Sequence, residues 1–116
     1  MYKMKFSMNG YGENAASFKT DGIVCSTHPV KITDNFTVSP CADGDAFAGI
    51  ADGVRGNIAC IQLAGYAEVT YSGAAPAFGW CSLAADGKGG VKVSENGKEY
   101  LVTRIDAENN KVGIII

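Results

Sequence analysis

The chain has 116 residues, a formal charge of −2 and 47% hydrophobic residues, with fifteen glycines and one histidine. That length makes one domain with enough surface buried for a single core. The mild acidity argues against a nucleic-acid binder that works by phosphate neutralisation, and no apolar run approaches the ~20 residues of a membrane helix.

The opening Met-Tyr-Lys-Met-Lys-Phe-Ser-Met-Asn-Gly has charges but no apolar stretch of the signal-peptide kind, so a chain kept in the cytosol, or exported by a route the sequence does not show, is expected. Residues 1–22 are broken by Asn9-Gly10, Gly12-Glu13-Asn14 and Asp21-Gly22, yet they carry Tyr2, Phe6, Tyr11 and Phe18. Two readings follow. The segment forms a strand or two at the edge of the body, or it is an extended arm whose aromatics dock on a partner.

Residues 23–116 read as one compact β domain of short antiparallel strands, a small barrel or sandwich. Apolar runs alternate with Gly, Asp and Asn, and no stretch has the period of an amphipathic helix. Ile23–Cys25 and Val30–Ile32 are predicted strands flanking His28-Pro29. Phe36–Ser39 follows a turn at Asp34-Asn35. Phe47–Ala51 and Ile58–Leu63 are expected to form a hairpin across residues 52–57. Gly65 marks a bend before Ala67–Tyr71, and residues 72–76 are a loop leading to Phe78-Gly79-Trp80.

The strongest local signal is Asn96-Gly97, which predicts a type I′ hairpin with positive φ at both central residues. That register sets Glu95 against Lys98, Val93 against Tyr100 and Val91 against Val102. A valine at Gly97 is then expected to be destabilising because φ is positive there. After a turn at Asp106–Asn110, residues 111–116 run back as a paired core strand, with Val112, Ile114 and Ile116 apolar at every second position.

Few residues offer chemistry. His28 follows Cys25 by three, and in an extended segment the two side chains fall on opposite faces, which favours a turn histidine over a Cys–His pair. Cys25, Cys41, Cys60 and Cys81 are widely spaced without a Cys-x-x-Cys pair, so neither a zinc site nor any cofactor is expected; Cys60 and Cys81 sit among apolar residues, as small core side chains do. Asp43-Gly44-Asp45 lacks the further ligands of a calcium loop. Gly87-Lys88-Gly89-Gly90 precedes a strand and lacks the Ser/Thr of a phosphate loop. Phe78 and Trp80, two apart, serve either the core, a subunit contact, or stacking on a ligand.

From Pro40 onward the chain resembles the small head decoration (cement) proteins of tailed bacteriophages and prophage capsids. The resemblance runs through Pro40-Cys41-Ala42-Asp43-Gly44, Phe47-Ala48-Gly49-Ile50-Ala51, Val54-Arg55-Gly56 and Gly65-Tyr66-Ala67-Glu68-Val69. It continues in Tyr71-Ser72-Gly73-Ala74-Ala75-Pro76, Gly79-Trp80, Leu83-Ala84-Ala85-Asp86-Gly87, Tyr100-Leu101-Val102 and Val112-Gly113-Ile114-Ile115. It covers about two-thirds of the chain on a Gly/Ala/Val β-pattern. Residues 1–35 lie outside it, and it carries no catalytic residue.

The resemblance implies a β-barrel-like domain made in a bacterial cytoplasm. It would bind the outside of a capsid, contact the major capsid protein lattice, and form homotrimers. It implies no enzyme activity, no cofactor, no direct nucleic-acid contact and no membrane. The alternative is a cytosolic β-barrel module recognising a peptide, sugar or nucleic acid through Phe78 and Trp80.

Overall fold

The computed structural model describes residues 14–116, and among these there is no helix. Tyr2, Phe6 and Tyr11 lie outside the described residues. The strands are β1 (Asn14–Thr20), β2 (Pro29–Asp34), β3 (Thr37–Pro40), β4 (Gly49–Arg55), β5 (Ile58–Ala64), β6 (Tyr66–Thr70), β7 (Gly79–Ala85), β8 (Val91–Val93), β9 (Lys98–Asp106) and β10 (Lys111–Ile115).

The first five close into a barrel in the order β1-β3-β2-β4-β5, and the rest form a sheet in the order β6-β10-β9-β7-β8. An isolated parallel bridge, Tyr71 to Val91, ties the two edges of that sheet and curls it around its own core. Each half has its own apolar cluster. Val24, Val30, Val38, Ala51, Ala59 and Ile61 fill the barrel. Val69, Leu83, Val91, Tyr100, Val102, Val112 and Ile114 line the sheet's inner face. Phe47 and Ile50, from the barrel half of the chain, pack into that second cluster. The Phe47 ring stacks on Tyr100 at 4.8 Å between centroids and 7° between planes, and the Tyr100 hydroxyl donates to the Phe47 carbonyl at 3.3 Å. Burial pushes the Tyr100 phenol up to about 12, so it remains a donor. Buried Gln62 fastens the junction, donating from Nε2 to the carbonyls of Ala64 and Tyr66 at 3.1 and 2.7 Å.

The all-β expectation holds, as do the β9–β10 hairpin and the bend at Gly65; the β4–β5 hairpin forms too, but residues 52–55, expected as loop, continue β4 and pair with β5, leaving Gly56-Asn57 as its turn. Three other local expectations are corrected. Residues 14–20 form a strand, as one of the two readings had it, but a strand inside the barrel and not at an edge of the body, and not an arm. They form β1, antiparallel to β5 from Asn14 to Lys19 and parallel to β3 at its end, and Phe18 packs partly buried on the barrel core. A barrel needs a closing strand, and the Ala-Ala-Ser-Phe run supplies one that no hydrophobic alternation announces. Ile23–Cys25 is loop, although Val24 is buried.

The Asn96-Gly97 hairpin does not form either. β8 pairs with β7, with Leu83 opposite Val93, while β7 lies between β8 and β9, with Leu83 also opposite Lys98. Neither Asn96 nor Gly97 has positive φ. The Gly97 amide donates to the Ser94 carbonyl at 3.1 Å, and the turn carries the chain over the end of β7 rather than back beside β8.

Candidate binding surface

Alternation along the curled sheet decides which side chains face outward. Val69, Val112, Val102 and Leu83 point to the core, so their neighbours point out. The register places Trp80 opposite Leu101, Leu101 opposite Ile115, and Ile115 opposite Tyr66. These four residues form one apolar row across β7, β9, β10 and β6, about 14 Å wide at ordinary strand spacing. Trp80 is 69% exposed and Leu101, Ile115 and Tyr66 are half-buried.

The row is bordered by polar residues. On one side stands Glu99, opposite Ser82. On the other lie Arg104, Gly113 and Glu68 in one line, with Arg104 Nη1 3.3 Å from Glu68 Oε2. Arg104 faces outward because of a register shift: Gly113 pairs with Arg104 but Ile114 with Val102, so Thr103 is the bulged residue. Gly113 is required by close approach. A Cβ there would lie 2.8 Å from the Tyr66 ring, which is laid across it while its hydroxyl donates to Glu68 at 3.0 Å. Burial, followed by that bond, raises the Tyr66 pKa.

Of the sequence candidates, Phe78 and Trp80 are both on the surface, at 70% and 69% exposure, and neither is core. Phe18 belongs to the barrel, apart from them. Tyr66, Leu101 and Ile115 were not legible as surface residues, since only cross-strand register aligns them with Trp80. A further exposed aromatic, Phe36, sits at the tip of the β2–β3 turn with φ 51° and 79% exposure.

A separate cleft of about 220 Å³ lies between the barrel and the sheet, lined by Cys25, His28, Cys41 and Lys88 among others. The Cys25–His28 turn, with the His28 amide 3.3 Å from the Cys25 carbonyl and Thr27 at φ 70°, brings both residues to this cleft. The histidine is therefore in a turn, as expected, but the opposite-face argument fails because the segment is not extended. The imidazole packs against Gly89, where a Cβ would fall 2.6 Å from Nε2. All four cysteines are free thiols. Burial, then Asp45, pushes the Cys41 thiol up to about 11, so it is protonated and a poor nucleophile. Among the described residues no group of three His, Cys, Asp or Glu side chains is placed to hold a metal. Both carboxylates of the Asp43-Gly44-Asp45 turn are engaged, Asp45 with Lys31 and Asp43 with Lys92, each at 2.7 Å.

The Gly87–Gly90 loop wraps an anion of its own. The Asp86 carboxylate accepts from the Lys88 amide at 2.7 Å, the Ser72 hydroxyl at 2.8 Å and the Gly90 amide at 3.0 Å. Burial alone would raise its pKa, but those donors outweigh burial and hold it below the usual carboxylate value. A lowered folded-state pKa gives stability that is complete above the unfolded value of ~4 and is lost as pH falls through the folded one. Asp86→Ala is expected to cost roughly 2–4 kcal/mol at neutral pH, because the buried Gly90 amide loses its acceptor. Its penalty should shrink in melts below about pH 4. A penalty unchanged down to pH 2 would mean the carboxylate's charge is not what holds the loop.

The fold thus defines a small all-β domain, a closed barrel joined to a five-stranded antiparallel sheet. No family model matches the chain, and no curated protein matches it.

Proposed function

We propose that the protein is a non-enzymatic structural protein that binds and reinforces the outside of a bacteriophage capsid. The observation that carries this reading is the outward row Trp80–Leu101–Ile115–Tyr66. A rigid sheet that keeps four large side chains in line inside a polar border is suited to association, with Leu101 and Ile115 at its centre, an aromatic at each end and charges at its rim. The text from Pro40 to Ile115, which resembles phage head decoration proteins, supports the same reading. In this proposal the row meets other subunits of the decoration layer, and Tyr2, Phe6 and Tyr11 meet the major capsid protein lattice. The trimer is the assembly that the resemblance implies.

The test is co-sedimentation of the purified chain with undecorated, expanded phage heads. The full chain is expected to pellet with heads to a saturating stoichiometry, and a chain starting at Asn14, which keeps β1, to bind at least tenfold more weakly (about 1.4 kcal/mol). Absence of binding to any capsid lattice would remove the capsid reading. Enrichment of a peptide, glycan or oligonucleotide at Trp80, read by its fluorescence, would put the binding-module alternative in its place.

A further inference from the structure

We infer that the Trp80–Leu101–Ile115–Tyr66 row is a two-fold contact between copies of this chain, in which Glu99 of each copy meets Arg104 of the other. The inference rests on the association role proposed above and names the partner of that surface.

The argument is one of symmetry and charge. Glu99, Leu101 and Arg104 lie on the same strand, β9, and point out of the same face. Leu101 is in the apolar row, Glu99 is one step to one side, and the bulge at Thr103 sets Arg104 one step to the other. Two such sheets packed face to face about an axis running along the row superpose the row on itself. Trp80 then lies against Trp80 of the second copy and Leu101 against Leu101. The same rotation exchanges the two borders, so each Glu99 falls over the second copy's Arg104. Both charge pairs of the contact are opposite in sign, and both follow from a single operator.

An axis laid along β9 itself sets Glu99 over Glu99 and Arg104 over Arg104 and is repulsive, and one along the strands through the middle of the row, between β9 and β10, sets Arg104 over Gly113 and makes no opposite-charge pair. Among the described residues Glu99 makes no salt bridge, and Arg104 touches Glu68 through one nitrogen while 55% of its side chain stays exposed. Each therefore has capacity for an additional partner. Aligned sheets packed ~10 Å apart would interdigitate these side chains. This pairwise contact is separate from a three-fold one and can link trimers.

Trp80 is the chain's single tryptophan, so its fluorescence reports the contact directly. The full chain is diluted from millimolar to nanomolar concentration. Emission is followed alongside mass by light scattering, with circular dichroism melts to confirm folding. The expected result is a concentration-dependent doubling of mass with a blue shift of emission. Trp80→Ala should weaken it at least 30-fold at an unchanged melting temperature. Glu99→Arg and Arg104→Glu should each weaken self-association at least tenfold. Mixed one to one, these two variants should recover it as a heterodimer, because both charge pairs are then opposite again.

A chain that stays monomeric throughout overturns the inference, as does self-association indifferent to Trp80→Ala, or two charge variants that fail to complement. Trp80→Ala abolishing capsid binding in a chain that never self-associates also overturns it, and leaves the capsid reading intact. Self-association through the row in a protein without affinity for any capsid supports the inference and removes that reading instead.

Discussion

A chain that begins at Asp21 will not fold to the native barrel. Removing β1 strips the antiparallel ladder to β5, which runs from Asn14 opposite Ala64 to Lys19 opposite Ile58, together with the parallel step to β3. It also removes the bond from the Lys19 amide to the Phe36 carbonyl at 2.7 Å and from the Thr20 amide to the Asn57 carbonyl at 2.9 Å. Phe18 leaves the barrel cluster. At ~0.5–1.5 kcal/mol net per hydrogen bond, six lost bonds come to about 3–9 kcal/mol before the packing of Phe18 is counted, a large share of the stability of a small domain. Two new edges, on β3 and β5, are exposed as well, and unpaired edges favour aggregation.

The measurement is thermal unfolding of the shortened chain beside the full chain and one starting at Asn14. The expected result is loss of the cooperative transition, or insolubility, only for the chain starting at Asp21. A cooperative melt within a few degrees of the full chain would show that β1 is not a structural strand of the barrel.

Gly97→Val is the second large effect, and its cause is not backbone handedness. A Cβ on Gly97 would stand 2.5 Å from the carbonyl carbon of Leu83, closer still to its oxygen, and 3.0 Å from its nitrogen. All three are backbone atoms of β7, a strand held on both sides by β8 and β9, so nothing can swing aside. Even alanine should cost roughly 2–3 kcal/mol and valine about 3–5 kcal/mol, in the range of severe overpacking. Asn96→Ala separates this cause from the type I′ explanation. With ordinary φ at position 96 it should change stability by less than about 0.5 kcal/mol. Denaturant unfolding of the three variants decides the matter. A costly Asn96→Ala beside a mild Gly97→Ala would restore the hairpin and refute the close-approach account.

Those two results mark where local pattern succeeds and where it stops. Strand character is a local property. The alternation in Val112, Ile114 and their neighbours, the turn at Asp106–Asn110 and the existence of a glycine-bearing turn between β4 and β5, though not its two-residue length, come from side-chain period and turn chemistry. An all-β body with these hairpins was therefore readable residue by residue.

Partner choice between strands is not local. Val91–Val93 has the same alternation whether it pairs with β9 or with β7, and the two-residue separation at Asn96-Gly97 favours β9. The closed curl of the sheet decides for β7, because the Tyr71–Val91 bridge draws β8 to the far edge and leaves β9 free to pair with β10. Likewise Asn14–Thr20 carries no strong pattern of its own and is a strand because the barrel has a gap of its length between β3 and β5.

The candidate surface follows the same division. Trp80 and Phe78 stood out by type alone, but type does not say whether an aromatic is buried. Tyr66, Leu101 and Ile115 are 14 to 49 positions apart in sequence and look like core residues. Register across four strands puts them in one outward line with Trp80, and a one-residue bulge at Thr103 turns Arg104 to the same side. Sequence determined the strands, the turns and which side chains are apolar, since these depend on a few neighbouring residues. Tertiary structure alone decided which strands meet, which face of the sheet is inside, and hence which apolar residues remain for a partner, because pairing register is set by contacts distant along the chain.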